Sequence, residues 1–368
     1  MYCAIISGDR DMLKKLLYFL VAICFFMTNC DDKPGFEIKK SPIINDWADG
    51  GSSLMIMNER IEKIKYLLDL YTEIELDKIK KVTITKCDLF NLRGIERFRN
   101  LLVADFSKNN INELNDLSKC TKIVRLTIIS NQITSLQGVD KLQELVDLSI
   151  IDNKISRVEY LNDLKKLEEL RLSKNSITRL ENLAGIVSLK GLWIGDNPIE
   201  KIENLYELPG LRVLSLSGTN ISKIENLGQL PSLLSLTLSN TKITKMDFPE
   251  KLLMLRDLDL SENKITKIEG LENVPGLWEL YLRDCAIEKI EGLEGLQFLV
   301  TLDLTGNKIK RIEGLTGLKS IDPEYFLIHE NPIEEIKSDD LVFLRGRGLL
   351  ADSWLEKSIR EGKIKIVE

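Results

Sequence analysis

From Ile79 to Ser320 one 22-residue unit recurs eleven times without an insertion or deletion; its copies begin at Ile79, Leu101, Ile123, Leu145, Leu167, Leu189, Leu211, Leu233, Leu255, Leu277 and Leu299. Numbered from its first residue, the unit is apolar at slots 1, 4, 6, 11, 14, 17 and 20 in 76 of 77 positions, with Pro249 the departure, in a chain that is 43% hydrophobic. A repeat this strict leaves few folds open. One unit is too short to offset the entropy of ordering its own backbone, so the copies must stack and share a continuous core.

The unit Leu299–Ser320, LVTLDLTGNKIKRIEGLTGLKS, shows how. Leu302 and Leu304 alternate with polar residues, the period-two pattern of a strand with one buried face. The later apolar slots fall every three residues (Ile309, Ile312, Leu315, Leu318), a period suited to 3₁₀-like turns. Slot 9 is Asn109, Asn131, Asn153, Asn175, Asn197, Asn263 or Asn307, replaced by Thr219, Thr241, Cys87 or Cys285. A buried Asn amide both donates and accepts, so stacked copies are expected to satisfy backbone groups where each strand ends.

The pattern L-x-x-L-x-L-x-x-N-x-I-x-x-I-E-G-L resembles the leucine-rich repeat family, and tetrads such as Ile268–Leu271 and Ile312–Leu315 are similar to its 22-residue subclass. Bacterial internalins and a eukaryotic regulator of type-one protein phosphatase share that subclass. The resemblance implies an α/β, right-handed leucine-rich-repeat solenoid. Its concave parallel β-sheet would hold about twelve short strands, with 3₁₀ or turn segments on the convex side and a protein ligand bound on the concave face. Function does not follow from such a fold by itself.

Ahead of the repeats, Lys14 and Lys15 after Met12, the probable start, precede the apolar run Leu16–Met27, which is too short for a membrane span of ~20 residues. Residues 1–29 thus read as a signal peptide. Met27-Thr28-Asn29-Cys30 resembles a bacterial lipoprotein signal, in which Cys30 would be lipidated and become the first mature residue. An ordinary cleaved signal and an uncleaved anchor are the other readings. Residues 30–51, with Pro34, Pro42 and Gly50-Gly51, read as a flexible tether. Residues 52–78 read as an N-terminal helical cap, with Met57, Ile61, Ile64 and Leu68 on one face. The repeats extend to about residue 337 through a degenerate twelfth unit, out of phase by two residues. Residues 338–368 read as a C-terminal cap: two short helices, Asp339–Arg345 and Leu350–Arg360, then a strand over Lys363–Val367.

Chemistry is not in evidence. The single histidine, His329, lies in the degenerate unit, and no nucleophile motif, phosphate loop or metal-ligand spacing occurs. Neither an enzyme, a cofactor nor a metal site is expected. Cys87 and Cys285 occupy equivalent slots nine units apart, roughly 43 Å at ~4.8 Å per strand, and cannot bridge. A net charge of −6 speaks against nucleic acid.

Binding is expected on slots 3, 5 and 7, which face away from the core. Slot 5 is mostly small and polar (Thr83, Ser149, Ser215, Thr237), so two groups of residues stand apart. Trp193 lies beside Arg171, with Ile129 and Ile151 further along, and serves either ligand contact or local packing. Asp257, Asp259, Glu279, Tyr281, Arg283 and Asp303 form a denser patch with Trp278 at its edge. Trp, Tyr and Arg are the residues enriched at binding hot spots. The expectation is a lipid-anchored protein of the bacterial cell envelope, an outer-surface location included, that binds a host or envelope protein in adhesion. Two alternatives remain: an envelope scaffold with no host role, and an intracellular subunit similar to the phosphatase regulator.

Overall fold

The structure is a computed structural model that describes residues 43–46, 52–57, 64, 73–348 and 353–368. The expected signal peptide, Cys30 with its expected acylation, and most of the expected tether lie outside the described residues. Each repeat contributes one short strand. After β1 (Ile43–Asp46), β2 (Ser52–Met57) and β3 (Ile79–Thr85), three-residue strands follow: β4 (Val103–Asp105), β5 (Arg125–Thr127), β6 (Asp147–Ser149), β7 (Glu169–Arg171), β8 (Gly191–Trp193), β9 (Val213–Ser215), β10 (Ser235–Thr237), β11 (Asp257–Asp259), β12 (Glu279–Tyr281) and β13 (Thr301–Asp303). With β15 (Phe326–Leu327) they make one 14-stranded sheet in chain order, parallel except for the β1–β2 pair.

From β3 to β13 each strand pairs with the residue 22 positions on, as Leu214↔Leu236↔Leu258 show. The two-residue slip is visible in the last pair, Leu302↔Phe326. Slots 4 and 6 are buried in every unit, and the turn slots pack behind them in one continuous core. Pro249 is the exception that the packing absorbs: Pro249 itself is exposed, and Phe248 turns inward in its place.

The N-terminal end differs from expectation, whereas the two short helices and last strand at the C-terminal end are where they were expected. Ser52–Met57 was expected to open a helix but is strand β2, with Leu54 opposite Val82 and Ile56 opposite Ile84. Leu54 and Ile56 alternate as slots 4 and 6 do, and the free edge of β3 offers hydrogen bonds that an isolated helix cannot match. Met57 therefore ends a strand and is exposed, Ile64 is buried, and Ile61 and Leu68 lie outside the described residues. Ile43–Asp46, assigned to the tether, is β1, antiparallel to β2. Among the described residues, the helix at this end is the short α1 (Glu73–Lys78).

At the other end, α2 (Ser338–Gly346) and α3 (Trp354–Arg360) bury Leu341, Leu344 and Leu355 over the last unit. A small parallel sheet, β14 (Arg311–Ile312), β16 (Glu335–Lys337) and β17 (Lys365–Val367), runs behind them. Asp340, 2% exposed, accepts hydrogen bonds from the backbone N–H groups of Leu315 (2.7 Å), Gly314 and Thr316 (both 3.2 Å). It thus satisfies donors that would be left unpaired where the array stops.

The expected asparagine ladder is present. Asn197 donates to the carbonyls of Leu172 (3.0 Å) and Ile194 (2.9 Å) and accepts from the N–H of Ile177 (2.9 Å). Asn131, Asn153, Asn175, Asn263 and Asn307 repeat this bonding to the preceding unit. Thr219 reaches the carbonyl of Leu216 (2.8 Å), a bond within its own unit.

A second ladder was not anticipated. Slot 16 has positive φ at Gly94, Gly138, Tyr160, Asn182, Asn204, Asn226, Gly270, Gly292 and Gly314, the region that Gly and Asn tolerate best, with Tyr160 the exception in residue type. Asn182, Asn204 and Asn226 donate to the slot-14 carbonyls of Val158, Leu180 and Ile202 at 2.8, 2.8 and 2.7 Å. Gly270 and Gly292 press against the equivalent carbonyls instead; an added Cβ would sit 2.0 and 2.2 Å from the oxygens of Met246 and Ile268. The alternation of I-E-N-L with I-E-G-L therefore reflects two ways of meeting one carbonyl.

Candidate binding face

Alternation along each strand sends slots 3 and 5 to the open side of the sheet, where they are mostly half-buried while slot 4 is fully buried. Arg171 and Trp193 are register partners on β7 and β8, as are Asp259 and Tyr281, Asp257 and Glu279, and Tyr281 and Asp303 on β11–β13. Parallel strands ~4.8 Å apart bring each pair together.

The two groups differ in how their charges are met. In the first, Arg171 donates to Asp147 (2.7 Å) and Glu169 (3.2 Å), and Arg125 reaches the other oxygen of Asp147 (3.3 Å). The Arg171 guanidinium also lies 4.4 Å from the centre of the Trp193 ring. That ring folds back over Gly191: a Cβ on Gly191 would sit 2.3 Å from the indole and 2.7 Å from the Glu169 carboxylate. Trp193 thus has a local packing role, stacked between Arg171 and the Gly191 backbone. Burial pushes the Glu169 carboxyl above its ordinary range, opposed by Arg171. Ile129 and Ile151 are half-buried on the same face.

In the second group the carboxylates are not paired with cations. Among the described residues, Asp257, Asp259, Glu279 and Asp303 take part in no ion pair. Tyr281 donates its hydroxyl to Glu279 (2.8 Å), and the phenol is pushed up to about 12, by burial first and then by that bond. Burial and the neighbouring Glu279 raise the Asp257 carboxyl. Asp259 and Asp303 have a local task as well, each accepting the N–H two residues on, Ser261 and Thr305, at 2.9 Å. Asp105 does the same for Ser107 at 2.9 Å. The carboxylates with no such task are Asp257 and Glu279.

Two residues of the expected patch lie elsewhere. Arg283 is turned toward Asp284 (2.9 Å) in solvent. Trp278 stands at slot 2, before the strand begins, and lines a cleft with Leu253, Arg256, Pro275, Gly276 and Phe298 at the strand-start edge. The reason is the phase: slot 2 precedes the extended segment, so alternation does not point it onto the open face. The sequence reading missed Asp147, Arg125 and Gly191. A Gly two residues before Trp193, on the same side of the strand, was the available signal.

Among the described residues, no group of three or more His, Cys, Asp or Glu side chains is arranged to hold a metal. Burial pushes the Cys120 thiol up to about 12 and the Cys285 thiol to about 11, which makes both poor nucleophiles. His329 is exposed, its ring edge-on to Trp354 at 5.2 Å. No helix among the described residues is long and apolar enough to cross a membrane.

A family profile described as leucine-rich repeats, in two copies, matches residues 165–207 and 209–251. No curated protein matches the chain. Among solved structures, an internalin (InlF) of Listeria monocytogenes superposes with a TM-score of 0.67 at 24% identity, over 81% of this chain and 85% of its own. A leucine-rich-repeat protein of Leptospira interrogans gives 0.60 at 23% identity, over 80% and 79%. YopM of Yersinia enterocolitica gives 0.56 at 22% identity, over 70% and 57%. At these identities the likeness is one of fold. In its repeat sequence and in its single-file parallel sheet, the chain is a solenoid of leucine-rich repeats.

Proposed function

We propose that this chain is a non-catalytic scaffold that binds a protein through the open face of its sheet, chiefly over β11–β13. One observation carries the reading: four carboxylates on adjacent strands are held half-buried or deeper, and among the described residues none of them forms an ion pair. Such a face gains from a partner that brings Lys or Arg, and it repels the phosphates of nucleic acid. Thirteen sheet strands, β2 to β13 and β15, span roughly 58 Å at ~4.8 Å per step, the scale of a protein domain and not of a metabolite. The test places a photo-crosslinking amino acid at Thr237 on the open face or at Lys267 on the back. Capture of one and the same protein from Thr237, and not from Lys267, supports the reading; equal capture from both positions defeats it.

The same proposal puts the protein at the bacterial cell envelope, held by acyl chains on Cys30. Lys14, Lys15, the Leu16–Met27 run and the Cys that follows it support this. Several chains on one Cys would give stable anchoring where one would not. Fatty-acid labelling should mark the full-length chain and be absent from Cys30→Ala; label retained in the variant overturns the assignment. A partner on host cells, in adhesion, is the version that the internalin-like architecture favours, and protease accessibility on intact cells checks the surface display it requires.

A further inference from the structure

Around the corner from the acidic strands lies a second exposed surface. Slots 21 and 22 sit at the edge where strands begin, and in the first four units they are polar or charged, as in Thr121-Lys122, Gln143-Glu144 and Lys165-Lys166. Over β11–β13 this edge turns apolar. Leu253, Met254, Trp278 and Phe298 are exposed to 59%, 47%, 53% and 59%. Leu253, Trp278 and Phe298, with Pro275, Gly276 and Arg256, form a shallow cleft of about 310 Å³. Large apolar side chains gathered on one edge of a water-exposed protein mark a contact surface.

The cleft is built and not merely bare. Arg256 donates through Nη1 to the carbonyls of Leu253 (3.0 Å), Leu255 (3.0 Å) and Gly276 (3.1 Å), and its guanidinium lies 5.7 Å from the centre of the Trp278 ring. A Cβ at position 276 would come within 2.2 Å of that nitrogen, so glycine makes room for the arrangement. The cleft's cation is spent on the backbone and the indole.

Trp278 immediately precedes Glu279, and Arg256 immediately precedes Asp257. The cleft therefore adjoins the two carboxylates of the patch that accept no backbone N–H, and the Glu279 carboxylate is bonded only by the Tyr281 hydroxyl. We propose that the cleft receives an aromatic or aliphatic side chain of the same protein segment whose basic residues lie on Asp257 and Glu279. The inference rests on the open-face reading and specifies its partner: a cationic segment with an apolar anchor. Charge complementarity selects this occupant. An anionic lipid surface would be repelled by the neighbouring carboxylates, and a two-fold dimer over this edge would bring like acidic faces together.

The test uses the full-length chain and short synthetic peptides of four kinds: basic with a Trp or Leu anchor, basic without one, neutral with an anchor and acidic with an anchor. The first kind should bind best. Trp278→Ala and Phe298→Ala should each weaken it about tenfold or more, as hot-spot truncations do, with unchanged thermal unfolding. Against the basic peptide lacking an anchor, the same variants should behave as wild type. Equal binding of all four kinds overturns the inference, as does insensitivity of the anchored basic peptide to both Ala variants. If that peptide still loses affinity in Glu279→Gln, the open-face reading survives and the cleft alone is lost. If no basic peptide binds, both fail. Preferential binding to phosphatidylserine vesicles, or a dimer abolished by Trp278→Ala, would reassign the cleft to a membrane or to a second copy.

Discussion

The strands β5–β8 and β11–β13 share one face, one register and one alternation of buried and open side chains, yet their charges have opposite fates. On β5–β8 two arginines lie among the acids, and Arg125, Asp147, Arg171, Glu169 and the Trp193 ring satisfy one another. On β11–β13 the nearby arginines are occupied elsewhere, Arg256 with carbonyls and Arg283 with Asp284. Asp257 and Glu279 are register partners that repel each other, and Glu279 accepts the Tyr281 hydroxyl. The first cluster uses its polar groups to stabilise the fold. The second leaves its carboxylates outside any ion pair, which is the feature the proposed binding role uses.

The largest expected effect tests that division directly. Asp257→Asn with Glu279→Gln should weaken binding of a basic peptide by about 10–100-fold, whereas Asp147→Asn with Glu169→Gln should change it by less than about threefold. Isothermal titration of both double variants decides, and equal losses would erase the contrast. Next in size is a stability effect in the opposite place. Arg171→Ala removes the cation that Glu169 pairs with, leaves Asp147 with Arg125 alone and uncovers Trp193, and should lower the unfolding free energy by about 1–2 kcal/mol in urea. Arg283→Ala, at an exposed pair, should stay within about 0.5 kcal/mol.

Acidity separates the regions further. Because the Asp257 carboxyl is raised, it takes up a proton at a pH above the usual aspartate value of 3.8, and peptide affinity should start to fall there. The folded protein binds that proton more tightly than the unfolded chain, so this residue alone makes stability rise as pH drops through its native pKa. The C-terminal pair behaves in reverse. The hydrogen bond from Arg345 holds Glu356 below its ordinary 4.5, so its stabilising contribution is complete above 4.5 and lost as pH falls through the depressed native value. Thermal unfolding of wild type and Glu356→Gln across that range should converge at low pH. The smallest effect expected is a gain: Glu279→Gln removes repulsion and should leave stability unchanged or higher by a few tenths of a kcal/mol, read as a small rise in Tm.

Much of this was readable before any coordinates. Asn197 and its equivalents announced a ladder because a polar side chain recurring among aliphatic slots must find partners within the stack. The slot-16 ladder escaped notice because Gly and Asn look chemically unlike, and only the left-handed backbone makes them equivalent. Strand β2 escaped because a single Leu54-Met55-Ile56 alternation is too short to outweigh a helical spacing when no neighbouring copy is in phase. Trp278 was expected at the edge of the acidic patch, and only the structure shows that at slot 2, just before the extended segment, it lines a cleft. Trp193 and Tyr281 were found as outward-facing residues, but not their surroundings.

What the amino-acid sequence determined by itself was the periodic part: the 22-residue step, the buried slots, the parallel register and the outward direction of slot 5, all set by local alternation and by burial that repeats identically from unit to unit. What only the tertiary structure decided was which charges meet. Arg171 reaches Asp147 from 24 residues away, and Arg256 turns to the backbone instead of to Asp257 beside it. Such pairings depend on rotamers and on the room left by Gly191 and Gly276, and neither leaves a periodic mark in the chain.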